Sequence, residues 1–154
     1  SQFYLCDENL KIKKIFKNTT KVENNNSLFF NIHFEVAHFF TFKKSVYLQT
    51  EGINVELTSA VDQDLYLKLY EKGDFFYIEK SLYLYRLHEK GVSQEKAKKV
   101  KLNYNWHTTL LHSAKRRNIK KLYGKPINEI ENLPKFIYQK ENTFLKKLIK
   151  KLKW

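Results

Sequence analysis

The fold is decided by residues 62–93, DQDLYLKLYEKGDFFYIEKSLYLYRLHEKGVS. Leu65 and Leu69 stand four apart, as do Tyr66 and Tyr70, so two apolar stripes run side by side along a helix. Asp62 and Asp64 fall in its first turn, where the helix dipole favours negative charge, and Gly73 is its stop signal. Beyond the glycine the pattern shortens, and residues 75–79 and 82–87 predict strands separated by Lys80 and Ser81. The stretch therefore carries acids at one end and Arg86-Leu87-His88 at the other, a pairing that can frame one active-site mouth.

Asp62 and Asp64 diverge on a helix, which makes them poor co-ligands for one metal and a poor acid–base pair. A lone carboxylate at a strand-to-helix junction is instead suited to act as general base toward a hydroxyl. The ordinary alternative is that both acids only complement the dipole. In a strand Arg86 and His88 emerge on the same face. Arginine offers phosphate a planar fork of donors, and histidine adds a further donor or a metal ligand. Their ordinary alternative is a partly exposed sheet end.

Upstream, residues 3–6 and 10–16 read as strands around a turn at 7–9, giving a hairpin. Residues 28–38 satisfy neither period, and the capping run Asn24-Asn25-Asn26-Ser27 favours helix there. Residues 39–42 read as a buried strand, 46–49 as a helical turn before Glu51-Gly52, and 54–60 as loop. Downstream, 94–118 predicts a long helix capped by Ser93, with Val100, Tyr104, His107 and Leu111 on its inner face. Residues 121–134 form a connector with a helical turn within 127–133. Residues 135–154 form a basic amphipathic helix, with Phe144, Leu145, Leu148, Ile149 and Leu152 opposite Lys146, Lys147, Lys150, Lys151 and Lys153.

The chain has 154 residues, 42% hydrophobic and 16% aromatic, enough for a packed core. Its net charge of +13 is uneven: residues 1–95 hold 12 basic and 13 acidic side chains, residues 96–154 hold 17 and 3. A polyanion or anionic surface is therefore expected at the C-terminal part. Glycine occurs only at 52, 73, 91 and 124, which rules out a P-loop or dinucleotide fingerprint. Cys6 stands alone and reads as small apolar filler, without disulfide or cysteine-based zinc chemistry. No membrane span or signal peptide is visible. His33, His38, His107 and His112 show no metal spacing and read as mostly structural. Lys115, Arg116, Arg117, Lys120 and Lys121 read as a solvated basic face. The chain lacks methionine and opens on Ser1 in what reads as mid-strand, so it is expected to be a piece of a longer protein.

Taken together, residues 37–93 resemble the C-terminal half of the catalytic domain of family 2 glycosyltransferases, which have the GT-A fold. An acidic pair opening a helix, D-x-D-L-x-L-R-L-x-x-x-G, is met by Asp62-Gln63-Asp64-Leu65-Tyr66-Leu67-Lys68-Leu69 and Gly73. The pattern L-Y-x-Y-R-x-H-x-x-x-x-S is met by Leu82-Tyr83-Leu84-Tyr85-Arg86-Leu87-His88 and Ser93. Upstream, His38, Phe42, Lys43, Lys44, Ser45 and Glu51-Gly52 fit the same pattern. Val61 departs from the usual acidic predecessor of the base. The family's strand-borne D-x-D metal and nucleotide motif has no counterpart.

The resemblance implies an α/β fold, α+β in this fragment: residues 1–95 as the acceptor-side part of a GT-A domain and 96–154 as a basic helical extension. It implies Asp62 as catalytic base, Arg86 and His88 beside the donor diphosphate, His88 as a possible metal ligand, and His38 near the acceptor opening. The implied activity is inverting transfer from a nucleotide-diphosphate sugar to a hydroxyl of a glycan or lipid-linked acceptor, in bacterial surface polysaccharide synthesis. A divalent cation, Mg2+ or Mn2+, belongs to the full-length enzyme, and the isolated fragment is expected to be inactive. The expected location is cytoplasmic, peripheral on the inner face of the membrane through residues 135–154. The competing reading is a basic module that binds nucleic acid or membrane without catalysis, suggested by the charge interleaved with Tyr104, Trp106 and Tyr123; no nucleic-acid motif accompanies it. A domain retained for packing after loss of catalysis is the third.

Overall fold

The structure is a computed structural model and describes residues 1–88 and 99–143. Its elements are β1 (Gln2–Cys6), β2 (Ile12–Phe16), α1 (Lys44–Tyr47), α2 (Val61–Tyr70), β3 (Ser81–Arg86), α3 (Lys99–Arg116), β4 (Lys121–Leu122), β5 (Lys125–Pro126), a 3-10 turn (Ile127–Glu129) and α4 (Leu133–Glu141). This is a mixed α+β arrangement with two small sheets.

The expected hairpin forms from β1 and β2. Asp7 Oδ1 accepts from the backbone N–H of Asn9 at 3.1 Å and of Lys11 at 2.9 Å, closing the turn. Strand β3 then docks on the other side of β1, parallel to it, in the order β2-β1-β3. Parallel neighbours need a long crossover, and here that crossover contains α2. The register Cys6↔Arg86 brings the carboxyl ends of β1 and β3 together, and Leu87 N–H extends the pairing to Cys6 O at 2.9 Å.

Helix α2 forms where the i, i+4 pattern places it, but it is buried on more than two stripes. Gln63, Asp64, Tyr66, Leu67, Lys68, Leu69 and Tyr70 are all buried. Leu67 enters a core with Phe30, Leu110, Leu122, Leu133 and Ile137, while Tyr66 and Tyr70 enter a second with Val22 and Val36. A helix buried nearly all round is a central strut, and its polar side chains must find partners.

Three expectations for residues 28–42 and 75–79 fail, each for a local reason. Residues 28–38 form turns, not a helix. Asn31 and Phe34 take left-handed backbone, φ +52° and +61°, and the buried Asn31 amide offers the chain an alternative to helical bonding. Its Nδ2 donates to Val36 O and Gln63 Oε1, both at 2.8 Å, and its Oδ1 accepts from Val36 N–H at 2.9 Å. The expected cap also closes a local turn instead: Asn26 Oδ1 accepts from Leu28 N–H at 2.9 Å. Residues 39–42 make no strand. Phe39 is left-handed at φ +59°, and the Phe40 ring packs edge-on against Tyr66 at 4.8 Å. Residues 75–79 join no sheet, because Asn24 takes the place of a neighbouring strand. It accepts from Phe75 N–H at 2.8 Å and donates to Phe75 O at 3.3 Å.

Helix α3 is rotated from its expected face. Tyr104 is 69% exposed, whereas Asn105, Thr109, Leu110, Ser113 and Ala114 are buried. The cause is α2, whose polar neighbourhood calls for hydrogen-bonding residues opposite it: Ser113 Oγ donates to Glu71 Oε1 at 2.6 Å. Ser93 and the first residues of the expected 94–118 helix lie outside the described residues. The connector at 121–134 contains the β4–β5 hairpin and the 3-10 turn. Asn132 caps α4, accepting from Lys135 N–H at 2.9 Å. Of the expected helix over 135–154, residues 144–154 lie outside the described residues. Among the described residues no helix is long and apolar enough to cross a membrane.

Candidate active site

A cavity of about 1150 Å3 opens at the carboxyl ends of β1 and β3, against the start of α2 and one side of α3. This is where open α/β sheets commonly take ligands. Asp62, Arg86, His88 and His38 all line it.

Asp62 is exposed, and its Oδ1 accepts from the adjacent Gln63 N–H at 2.9 Å, at the positive end of the helix. The preceding Ala60 is left-handed (φ +59°), so the chain turns sharply into the helix. The loop is held from α3: the buried Asn105 donates to Ser59 Oγ at 2.8 Å and to Thr58 Oγ1 at 3.2 Å. Asp64 faces the other way. It is 1% exposed, and its Oδ2 lies 2.7 Å from Lys68 Nζ, which also donates to Gly52 O at 2.9 Å. The two acids divide as helical geometry requires, one toward the cavity and one into the protein.

His38 stacks on Tyr85, with ring centroids 4.3 Å apart, and meets Phe3 edge-on at 5.2 Å. Burial pushes its imidazole below the ordinary value of 6.5, and the nearby Asp62 carboxylate opposes that shift. Burial first, and then the same carboxylate, push the Tyr66 phenol far up. Arg86 ends β3, and His88 lies two residues beyond it, both exposed at the cavity.

Among the described residues, no group of three or more His, Cys, Asp and Glu side chains converges as a metal site. His88 is therefore not part of such a cluster among the described residues. The other histidines hold structural contacts where these are defined. His107 Nδ1 accepts from Leu133 N–H at 3.1 Å, and His33 Nε2 lies 2.9 Å from Glu141 Oε2. Burial also lowers the His107 imidazole below its ordinary value.

The arginine pair read as a solvated face is instead an internal clamp. Arg116 grips Glu71 with Nε at 2.7 Å and Nη2 at 3.0 Å. Arg117 donates to Ser27 O and Phe29 O, both at 2.8 Å, and lies over the Phe30 ring at 4.3 Å. The pair borders a second, polar cavity of about 630 Å3 near the C-terminal end of α2. Sequence reading also missed what α3 and the 28–38 segment bring to the first cavity: Lys101, Leu102, Trp106 and Phe34. The spacing of Leu102 and Trp106, one helical turn apart, carries that signal once the helix is known.

Geometry thus defines an α+β unit in which a cavity of about 1150 Å3 gathers an exposed acid and a basic, histidine-bearing strand end. Over 103 residues, 67% of the chain, the sequence is 34% identical to chondroitin synthase of Escherichia coli; the match spans only 15% of that protein's length. On this likeness the chain is similar to part of a glycosyltransferase. No protein-family model matches it, and no solved structure matches it.

Proposed function

We propose that the chain is the acceptor-side part of an inverting, family 2-type glycosyltransferase of the GT-A class, and that it works within a longer polypeptide. The observation that carries the reading is the gathering of Asp62, Arg86, His88 and His38 at one cavity; the sequence likeness supports it. In the proposed reaction an acceptor hydroxyl loses its proton to Asp62 as its oxygen attacks the anomeric carbon of a nucleotide-diphosphate sugar. The new carbon–oxygen bond forms as the bond to the diphosphate breaks. The departing charge meets the Arg86 fork and the His88 ring. His38, held flat against Tyr85, borders the acceptor side.

No cluster of three or more His, Cys, Asp and Glu side chains occurs among the described residues, and the divalent cation of the proposed reaction is assigned to the longer polypeptide. A cytoplasmic location at the inner membrane face, with residues 135–154 against anionic headgroups, belongs to the same proposal. The donor-binding half is assigned to sequence outside this chain, so the chain alone is expected to transfer no sugar.

The test is transfer of label from nucleotide-diphosphate sugars by the longer polypeptide that contains this chain. The relative's name makes chondroitin oligosaccharides the first acceptor to offer, with an N-acetylglucosamine trimer beside it. Asp62→Asn should remove transfer, and an unchanged rate in that variant removes Asp62 from the role.

A further inference from the structure

The large cavity has an aromatic flank that the proposed proton transfer does not use. Phe34 and Trp106 both line it, their ring centroids 5.5 Å apart and their planes tilted by 38°. Phe34 remains 37% exposed on a left-handed backbone, φ +61°. A bulky side chain in that region is strained, and an exposed aromatic ring leaves apolar surface in water. Strain of this kind persists where the surroundings over-determine it and clusters at ligand sites.

The surroundings here are specific. Phe34 N–H donates to Asn31 O at 3.2 Å, and the Asn31 amide binds Gln63, the residue next to Asp62. Trp106 sits beside Asn105, which holds Thr58 and Ser59 in the loop that leads into Asp62. Asn31 and Asn105 therefore tie the segments that carry the aromatic pair to the start of the helix that carries Asp62.

The flank has mixed chemistry. Thr58 and Ser59 accept from Asn105 and keep their own hydroxyl protons to donate. Both line the cavity with the aromatic rings and Lys101. A ligand matching this has an apolar face and a hydroxyl-bearing edge. A sugar ring has both: its C–H face lies on aromatic carbon and its edge takes hydrogen bonds. An alkyl chain would leave the hydroxyls and Lys101 unmatched, and a phosphate has no face to stack.

We propose that Phe34 and Trp106 form a shelf on which a ring of a carbohydrate acceptor stacks, which sets the hydroxyl presented to Asp62. This rests on the proposed function and adds its substrate-positioning surface. The test uses the 154-residue chain with Trp154→Phe, which leaves Trp106 as its sole tryptophan. Its fluorescence is titrated with a chondroitin hexasaccharide, the N-acetylglucosamine trimer and, as an alkyl probe, octyl glucoside.

Expected is a saturable change with at least one oligosaccharide, weakened by about fivefold in Phe34→Ala. Trp106→Phe, read by calorimetry, should keep most of the affinity because it retains an aromatic face. The shelf is overturned if neither oligosaccharide binds, if Phe34→Ala leaves oligosaccharide affinity unchanged, or if only octyl glucoside binds. Failure of the two proposals is separable. Asp62-dependent transfer with an unresponsive Trp106 sinks the shelf alone; saturable oligosaccharide binding by a longer polypeptide that transfers no sugar sinks the transferase reading.

Discussion

Helix α2 separates two cavities that use charge in opposite ways. Near its C-terminal end Glu71, Arg116 and Arg117 are tied to one another, to Ser113 and to backbone carbonyls. At its N-terminal end Asp62, Arg86 and His88 are exposed and line open space. Charges held by protein partners stabilise an arrangement, because breaking a largely buried pair leaves the other charge stranded. Charges left facing a cavity add little to folding and are free to meet a ligand. The basic composition is the same kind of signal in both places, and only its partners distinguish structure from chemistry.

Mutation can break the comparison most sharply at the two acids that end α2. Asp62→Asn should lower transfer by the longer polypeptide by about 10²–10⁴-fold, the usual worth of a general base, and leave the urea midpoint of the chain unchanged. Glu71→Ala should do the reverse, costing about 3 kcal/mol of stability in urea unfolding. If Glu71→Ala unfolds no more easily than the parent, the clamp is not structural.

Asn31→Ala should come next, at about 2 kcal/mol, because it strips three buried hydrogen bonds from the segment that carries Phe34. Thermal unfolding of the variant, together with Phe34→Ala as the exposed control, measures this.

The smallest effect is on pH. His38 and His107 titrate below 6.5 in the fold because burial disfavours their charged forms. Below about 6.5 the unfolded chain therefore binds more protons than the folded one. Their stabilisation is present above that pH and is lost as pH falls through the lowered folded values. Melting temperature should drop on acidification across this window, and His107→Gln should flatten part of the drop. A His107→Gln profile identical to the parent's would separate the Leu133 contact from the pH response.

The reading from sequence succeeded where one local rule dominated. The hairpin follows from Asp7 and its turn, α2 from the i, i+4 repeat, and β3 from the alternation ending at Arg86. It failed at residues 28–42, where a cap and crowded aromatics favoured regular structure but the Asn31 side chain satisfied the Val36 backbone while held by Gln63, 32 residues away. It also failed on the inner face of α3, since Asn105, Thr109 and Ser113 look like a solvent side until α2 lies against them.

Sequence by itself determined the types of the central elements, the divergence of Asp62 from Asp64 and the candidate residues, because these depend on period and chemical type within a few residues. Tertiary structure alone decided that Asp62, His38, Arg86 and His88 border one cavity, that Arg116 and Arg117 are a clamp, and that Phe34 meets Trp106. Each of those depends on parallel docking of β3 on β1 or of α3 on α2. Long-range docking of that kind is set by the packing of whole surfaces, which no short window of residues encodes.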